Sequence, residues 1–392
     1  MSQEYFGNIL IIGPFGDFGG RELETSFIAQ AVEDNAKVCI LSTSYCTEDS
    51  QLFDFINSVS VESVDNLLYK RSFLFRVFSL LIAFKNGNKK KSIEYLHNKL
   101  NKKFGLKRAS KKILENYIDK NDIIVLCAQI SSNFMKEIVI YSKLKHKQIV
   151  FRTTNLNTYS TEHRVKWLES VDLFLHHSET NANRLNFLEN HNYQLIDQCA
   201  FSEEEYLKIP YKNRINTFLA ISRIESEKNI DVLIDVFKLE ENRHLHLNIV
   251  GKGSALEQLK RRAASYENIN FIGFVPNHQL VDCFKANDSF IVSYYEGEAG
   301  PLTGMEAMAC GMVIVSAKTG AMPERLPNSD FFFDNKIEDL NKTIQKLKLL
   351  STEAIKTVSK NNRNRYLKNY QINHLKNQYK SAIFSFYKDR IV

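Results

Sequence analysis

The sequence predicts an α/β protein with two domains, each built on a parallel sheet. In both halves of the chain, short hydrophobic segments suited to buried strands alternate with amphipathic segments suited to helices. The length of 392 residues accommodates two domains of ordinary size. A content of 44% hydrophobic and 25% charged residues is typical of a soluble globular protein.

In the first half, a strand at residues 8–12 precedes a glycine-rich turn, a helix at 21–32 and a second strand at 37–43. This order predicts a right-handed crossover between parallel strands. The glycines do not have the spacing of the dinucleotide-binding fingerprint. Three more strands of the sheet are predicted at 122–128, 148–154 and 171–178. The last of these contains His176 and His177, which we expect to be packing or capping residues.

The stretch from Ser293 to Glu324 is the centre of the second half. It begins where a hydrophobic strand ends, passes through a loop rich in glycine and proline, and enters a helix that stops at Gly311. A helix start leaves backbone N–H groups unpaired, which suits a phosphate. Glu298 lies in the loop and Glu306 in the helix, and carboxylates accept hydrogen bonds from sugar hydroxyls. The pattern suits a nucleotide-sugar, and the alternative is a buried crossover helix with two solvated glutamates.

A second group of candidate residues follows the strand that opens this half at residue 217. Arg223 and Lys228 lie between that strand and an amphipathic helix that ends near residue 237. Two cations in such a loop can clamp a diphosphate, arginine through its planar fork and lysine as a point charge. The alternative is a pair of solvated loop charges.

Together these stretches resemble the signature of the family-4 glycosyltransferases, retaining enzymes of the two-domain GT-B fold. In that family a serine ends a strand, a first glutamate follows in a Gly/Pro loop, and a second lies eight positions later in E-A-M-A-x-G. The residues that fit are Ser293, Glu298, Pro301, Leu302, Glu306, Ala307, Met308, Ala309 and Gly311. The S-R-x-x-x-x-K-N sequence from Ser222 is similar to the family's G-R-x-x-x-x-K-G. Glu296 remains an alternative first glutamate, because the family often reads S-x-x-E-G.

The resemblance implies a role for each candidate residue. Arg223, Lys228 and Glu298 would be catalytic, the two cations holding the donor diphosphate and Glu298 the hydroxyls of the donor sugar. Glu306 would bind the ribose, and further donor contacts would come from Gly251, Val275, Gly300, Pro301 and Leu302. Gly19, Gly20 and Asn155 would lie on the acceptor side of a cleft that two Rossmann-like domains face. Family members need no divalent metal, so we expect neither a metal nor another cofactor.

The expected domains are an N-terminal acceptor-binding domain at 1–203, a linker at 204–213, a donor-binding domain at 214–375, and a C-terminal helix at 376–392 that crosses back to the first domain. The expected function is retaining hexosyl transfer from a nucleotide-diphosphate sugar, such as a UDP-sugar, to a hydroxyl of a glycan or lipid-linked acceptor, in bacterial surface polysaccharide synthesis. Two alternatives are an epimerase or phosphorylase of the same fold, and a non-catalytic, membrane-associated scaffold.

The net charge of +7 is unevenly distributed along the chain. Residues 69–112 carry fourteen Lys or Arg and a single acidic residue, Glu94. They include a Phe- and Leu-rich segment, too short to span a bilayer, that ends in a lysine run at 89–91. An apolar helix beside lysines suits an anionic membrane surface. A core helix followed by a solvated basic helix is the alternative. Nucleic acid is a third interpretation, for which no recognition motif is present.

The six cysteines are scattered and show no C-x-x-C spacing. We expect them to be buried thiols in a reducing compartment rather than disulfides or zinc ligands. No secretory signal and no apolar run of about 18 residues is visible. The expected location is the cytoplasm, with peripheral attachment to the inner face of the cell membrane through the basic segment.

Overall fold

The computed structural model describes residues 5–155, 162–293 and 299–388, which form two compact units. Unit 1 comprises the chain up to His176, the segment Ala182–Ile196 and the chain from Lys376 onward. Unit 2 comprises His177–Asn181 and Asp197–Leu375. Each unit contains one parallel sheet with helices, so the predicted α/β class with two domains is confirmed.

Unit 1 contains a seven-stranded sheet with the order β3-β2-β1-β4-β5-β6-β7. Every neighbouring pair of strands is parallel. The central strands are hydrophobic on both faces, as expected for a parallel sheet covered on both sides. The strands are β1 Asn8–Gly13, β2 Lys37–Ser42, β3 Ser60–Ser63, β4 Ile123–Ala128, β5 Gln148–Thr153, β6 Leu173–His176 and β7 Tyr193–Leu195.

The helices in the first half of the chain connect these strands. They are α1 Gly20–Val32, α2 Val64–Arg71, α3 Phe73–Lys85, α4 Lys99–Lys103, α5 Leu106–Asp119, α6 Met135–Leu144 and α7 Glu179–Asn183. His176 is fully buried, and its ring nitrogens lie 2.8 Å from the Thr153 hydroxyl and 3.1 Å from Nε2 of His191. It is therefore a packing residue, as predicted.

A buried ion pair anchors the end of the chain within unit 1. Arg152, at the end of β5, donates from Nε to Oε1 of Glu24 on α1 at 2.9 Å, and neither side chain is accessible to solvent. The buried Tyr379 hydroxyl donates to the same carboxylate oxygen at 2.9 Å. Arg152 therefore has a structural role in unit 1.

Unit 2 contains a six-stranded parallel sheet with the order β10-β9-β8-β11-β12-β13. Successive side chains of β8 enter different cores, Phe218 and Ala220 on one face and Leu219 on the other. The sheet is therefore buried on both faces. Its strands are β8 Thr217–Ile221, β9 His246–Val250, β10 Ile269–Gly273, β11 Ser289–Val292, β12 Val313–Ala317 and β13 Phe332–Phe333.

The segment expected to be a linker lies at residues 204–213, and its role as a linker stays a prediction. Residues Glu203–Leu207 form a short helix, α8, and Tyr206 and Ile209 are buried in one of the unit 2 cores. Although the segment is mostly polar in composition, the apolar side chains of Tyr206 and Ile209 pack in the core. The remaining helices are α9 Ile230–Phe237, α10 Leu256–Ala263, α11 Leu280–Ala286, α12 Leu302–Ala309, α13 Met322–Arg325, α14 Ile337–Lys348, α15 Thr352–Asn369 and α16 Ile372–Lys388.

All six cysteines lie in the described ranges, and none of them is in a disulfide. Burial raises the pKa of the Cys127 thiol to about 12, so this thiol stays protonated. Of the helices described, none combines the length and the apolar character needed to cross a bilayer.

Replacing Arg152 should destabilise unit 1 strongly. Arg152→Ala leaves the Glu24 carboxylate buried without its cation, and we expect the free energy of unfolding to fall by about 3–5 kcal/mol. Lys143→Ala is the matched control, because it breaks the exposed pair with Asp172 and should cost less than about 1 kcal/mol. Urea denaturation checks both values. Equal, small losses in the two variants would contradict the structural role of Arg152.

Candidate functional site

The sheet of unit 2 reverses its direction of growth at β8. The chain passes from β8 outward through β9 and β10, then returns to pair β11 on the opposite side of β8. The chain therefore continues from β8 to one side of the sheet and from β11 to the other, and such a reversal creates the crevice where ligands bind in open α/β sheets. Arg223 follows β8, and Gly300 and Pro301 immediately precede α12, so the predicted residues lie at this edge.

The loops after β8, β9 and β10 are joined through their backbones. Ile224 N donates to Lys252 O at 2.9 Å, and Gly251 N donates to Gly273 O at 2.8 Å. A Cβ on Gly251 would lie 1.9 Å from Ser222 O, and this glycine has a φ of 147°. Only glycine permits that approach. The predicted donor residue Gly251 thus sets the path of the loop that carries Arg223.

The turn between β8 and α9 holds the two predicted cations. Arg223 is exposed, and Lys228 ends a 3₁₀ turn and is half-buried. Lys228 N donates to Glu225 O at 3.0 Å, while the Glu225 carboxylate accepts from Ser254 N at 3.2 Å and from the Ser254 hydroxyl. These bonds lower the pKa of Glu225, with a smaller contribution from the charge of Arg223. These hydrogen bonds therefore hold the turn in place and favour the ionised form of Glu225.

The start of α12 lacks a side-chain cap from its N-cap residue, Pro301. The carbonyl of Pro301 accepts from Nη1 of Arg325 at 2.7 Å. Arg325 is fully buried and is itself held by Asp197, with Nε at 2.9 Å from Oδ2. A Cβ on Gly300 would lie 2.8 Å from Nη2 of Arg325, so glycine is needed here as well. The first-turn N–H groups beside Leu302 suit an anion.

Glu306 on α12 is a buried carboxylate with an unsatisfied oxygen. Its side chain is 1% exposed, and its Oε1 accepts from Nδ2 of Asn277 at 3.3 Å. Among the described residues, its Oε2 has no hydrogen-bond partner, and neither does the hydroxyl of the nearby buried Tyr206. Burial raises the pKa of Glu306 to about 7, although Asn277 and Tyr206 partly oppose the shift. A ligand hydroxyl would supply the missing donor.

Most of the predicted donor residues therefore belong to one connected edge of unit 2. The loop after β10 passes the half-buried Val275 and reaches Asn277, whose hydrogen bond to Glu306 connects this loop to α12. Glu298 and its alternative Glu296 lie outside the described residues. Sequence reasoning missed Asn277, Tyr206 and Arg325, since each acts on a residue distant along the chain and stands in no local motif.

In unit 1, the predicted acceptor residues follow strands β1 and β5. The Gly19 amide donates to Oε1 of Gln51 at 2.8 Å, and Gly20 is the first residue of α1. Asn155 is half-buried just beyond β5. The acceptor role of these three residues stays a prediction. In the described ranges, no group of three or more His, Cys, Asp or Glu side chains is arranged to hold a metal ion.

The raised pKa of Glu306 should appear in the pH dependence of stability. The folded state holds the proton up to about pH 7 and the unfolded state only to about 4.5. The free energy of unfolding should therefore fall by about 3 kcal/mol as pH rises between these values. Glu306→Gln removes this titration, so its stability relative to wild type should increase over that range.

Urea denaturation at pH 5, 6, 7 and 8 measures this difference. Glu227→Gln, at an exposed position, is the control and should follow the wild-type curve. Parallel curves for wild type and Glu306→Gln would show that Glu306 is not a buried titrating group.

Comparison with known proteins relates the second half of the chain to a protein family. Residues 202–365 match the family described as glycosyl transferases group 1. An uncharacterized glycosyltransferase of Methanocaldococcus jannaschii is 26% identical over 177 residues, covering 43% of this chain and 44% of that protein. The O-antigen biosynthesis glycosyltransferase WbnH of Escherichia coli is 27% identical over 132 residues, covering 33% and 36% respectively. The chain thus matches less than half the length of these curated relatives.

Structural similarity extends over the whole chain. The crystal structure of Anabaena HepE in complex with UDP-glucose superposes with a TM-score of 0.72 at 15% sequence identity, covering 96% of this chain and 99% of that one. At this identity the likeness shows the fold, and it confirms the expected two-domain α/β class of GT-B type. The matching family segment contains β8, β11 and α12 with the loops described above. Over residues 202–365 the chain is therefore similar to the glycosyl transferases group 1 family.

Proposed function

We propose that the protein is a retaining glycosyltransferase, which moves a sugar from a nucleotide-diphosphate sugar to a hydroxyl of a glycan or lipid-linked acceptor. The observation that carries this proposal is the buried Glu306, whose Oε2 lacks a partner among the described residues, on the helix whose start offers uncapped amides. A nucleotide-sugar fits both features, since its ribose hydroxyls are donors and its diphosphate is an anion.

The described residues favour one orientation of the donor. The ribose would donate to Oε2 of Glu306, while Asn277 holds the other carboxylate oxygen. The diphosphate would lie between the start of α12 and the loop that carries Arg223 and Lys228. Glu298 would bind hydroxyls of the transferred sugar. The similarity to WbnH and to HepE, solved with UDP-glucose, supports a UDP-sugar donor and an acceptor in surface polysaccharide synthesis.

The reaction requires stabilisation of the negative charge that develops on the departing diphosphate. As the bond from the anomeric carbon to the phosphate oxygen breaks, its electron pair remains on the diphosphate, and the acceptor oxygen bonds to that carbon on the same face. The acceptor proton passes to a donor phosphate oxygen, so no protein base is required. Arg223, Lys228 and the α12 amides would stabilise the leaving diphosphate, most effectively with water excluded.

Removing either cation should slow the transfer step. Arg223→Ala and Lys228→Ala should each reduce turnover by about 100-fold or more if they stabilise the transition state. Arg262→Ala is the matched control, because Arg262 pairs with Asp235 on the helices of the same unit and should leave turnover unchanged. Release of nucleoside diphosphate from a panel of nucleotide-sugars, beginning with UDP-glucose, with and without candidate acceptors, provides the assay.

Two outcomes would overturn this proposal. Wild-type turnover in both cation variants would remove the assigned role of the loop. A product that is formed without acceptor, such as an epimerised sugar, would indicate a different reaction at the same site. The anomeric configuration of the transferred sugar, read from its NMR coupling constant, tests retention separately.

A further inference from the structure

Helix α3 (Phe73–Lys85) exposes a row of large apolar side chains. Phe73 is 73% exposed and Phe84 is 78% exposed, and Leu74, Leu80 and Leu81 are also largely accessible. Folded proteins seldom leave so many large apolar side chains open on one short helix, and such a patch marks an interaction site. Neither the proposed transfer reaction nor the core of unit 1 uses these side chains.

The positions of the exposed side chains form one stripe. At about 100° per residue, Phe73, Val77, Leu80, Leu81 and Phe84 fall within an arc of roughly 100°. The opposite face is the buried one, where Phe75, Ser79 and Ala83 pack inward. The helix therefore has two apolar faces, one packed in the core and the other exposed to solvent.

The orientation of α3 is fixed by a buried asparagine. Nδ2 of Asn101, which is fully buried, donates to Phe75 O at 3.1 Å and to Leu96 O at 2.8 Å. It also lies 3.1 Å from the Ser79 hydroxyl. Because these bonds hold the inner face in place, the outer stripe cannot be buried by rotation of the helix without breaking them.

Basic side chains border the stripe on both sides. Arg76 and Lys85 lie at the two margins of the same helix, and Arg76 contacts the Phe73 ring at 5.9 Å from its centroid. Six exposed lysines follow on the connecting segment and on α4, namely Lys89, Lys90, Lys91, Lys99, Lys102 and Lys103. In the described part of the chain, none of these eight cations is in an ion pair, whereas Lys107 and Lys111 nearby pair with Glu137 and Glu115.

The apolar surface continues from α3 onto α4. Phe104 is 53% exposed, and its ring lies 5.2 Å from that of Phe78 on α3. Leu100 of α4 is exposed as well. The exposed rings and unpaired cations thus belong to one surface, which we call the α3–α4 face and define as residues 73–104.

We propose that the α3–α4 face docks on an anionic lipid bilayer, with the rings of Phe73 and Phe84 in the interface and the lysines at the lipid phosphates. A second copy of the chain is a poor occupant, because it would bring two sets of unpaired cations together. A helix of 13 residues is too short to span, yet it can lie in the interfacial plane and bury its apolar stripe. Each nearby lysine adds attraction to an anionic surface.

Vesicle flotation tests this proposal with the full chain. We expect co-flotation with vesicles containing phosphatidylglycerol, weaker binding to pure phosphatidylcholine, and loss of binding as salt is raised. Phe73→Gln with Phe84→Gln should reduce binding by about 10-fold or more. Both sites are exposed, so the fold should be retained. Leu144→Gln with Leu349→Gln is the matched control, since these leucines are 71% and 86% exposed elsewhere.

The charge contribution needs its own variant. Reversal of Lys89, Lys90 and Lys91 to glutamate should reduce binding to anionic vesicles by about 10-fold or more. Reversal of the exposed Lys336, Lys342 and Lys360 in unit 2 is the control and should change binding little. Circular dichroism of each variant verifies folding.

Three results would overturn the membrane assignment. One is equal flotation with neutral and anionic vesicles, and another is equal loss in test and control variants. The third is the absence of flotation together with dimerisation that Phe73→Gln and Phe84→Gln abolish, which would identify a second copy as the occupant. Donor binding by unit 2 is measured separately, so failure here leaves the proposed transferase activity intact.

Discussion

The constraint on which the site depends is the position of β8 in the unit 2 sheet. Its neighbours β9 and β11 lie on opposite sides of it, so the sheet reverses its direction of growth at β8. Gly251 then brings the β9 loop against Ser222, and Asn277 joins the β10 loop to Glu306. The strand order thus determines which edge of the sheet carries the candidate binding residues.

This edge contains a buried carboxylate oxygen that lacks a hydrogen-bond partner among the described residues. A buried polar atom without a partner costs about 1–3 kcal/mol, and a buried carboxylate is worse because burial opposes its charge. Glu306 combines both penalties, and Arg325, which pairs with Asp197, fixes the start of its helix by donating to the carbonyl of Pro301. Local conflicts of this kind, supported by rigid surroundings, are characteristic of functional sites. The fold therefore maintains Glu306 in a state that a hydroxylated ligand would relieve.

The sequence predicted the central strands well, because strands buried on both faces are hydrophobic along their whole length. It missed β3 (Ser60–Ser63), which lies at a sheet edge with the polar sequence SVES, and the short β7, where Gln194 and Leu195 are exposed. At the candidate site, Arg223, Gly251 and Glu306 were singled out by their resemblance to the family signature, and their roles stay a prediction. Tyr206 and Asn277 could not be found that way, since they approach Glu306 only after the sheet has formed. In unit 1, Arg152 has a structural role that its place in the sequence did not indicate.

The most direct test of the account is a crystal structure of the protein with UDP, and with other nucleoside diphosphates if UDP does not bind. We expect a ribose hydroxyl at about 2.7 Å from Oε2 of Glu306, with the diphosphate at the start of α12 beside Arg223 and Lys228. A nucleotide bound elsewhere, with Oε2 of Glu306 making no contact to it, would contradict the account.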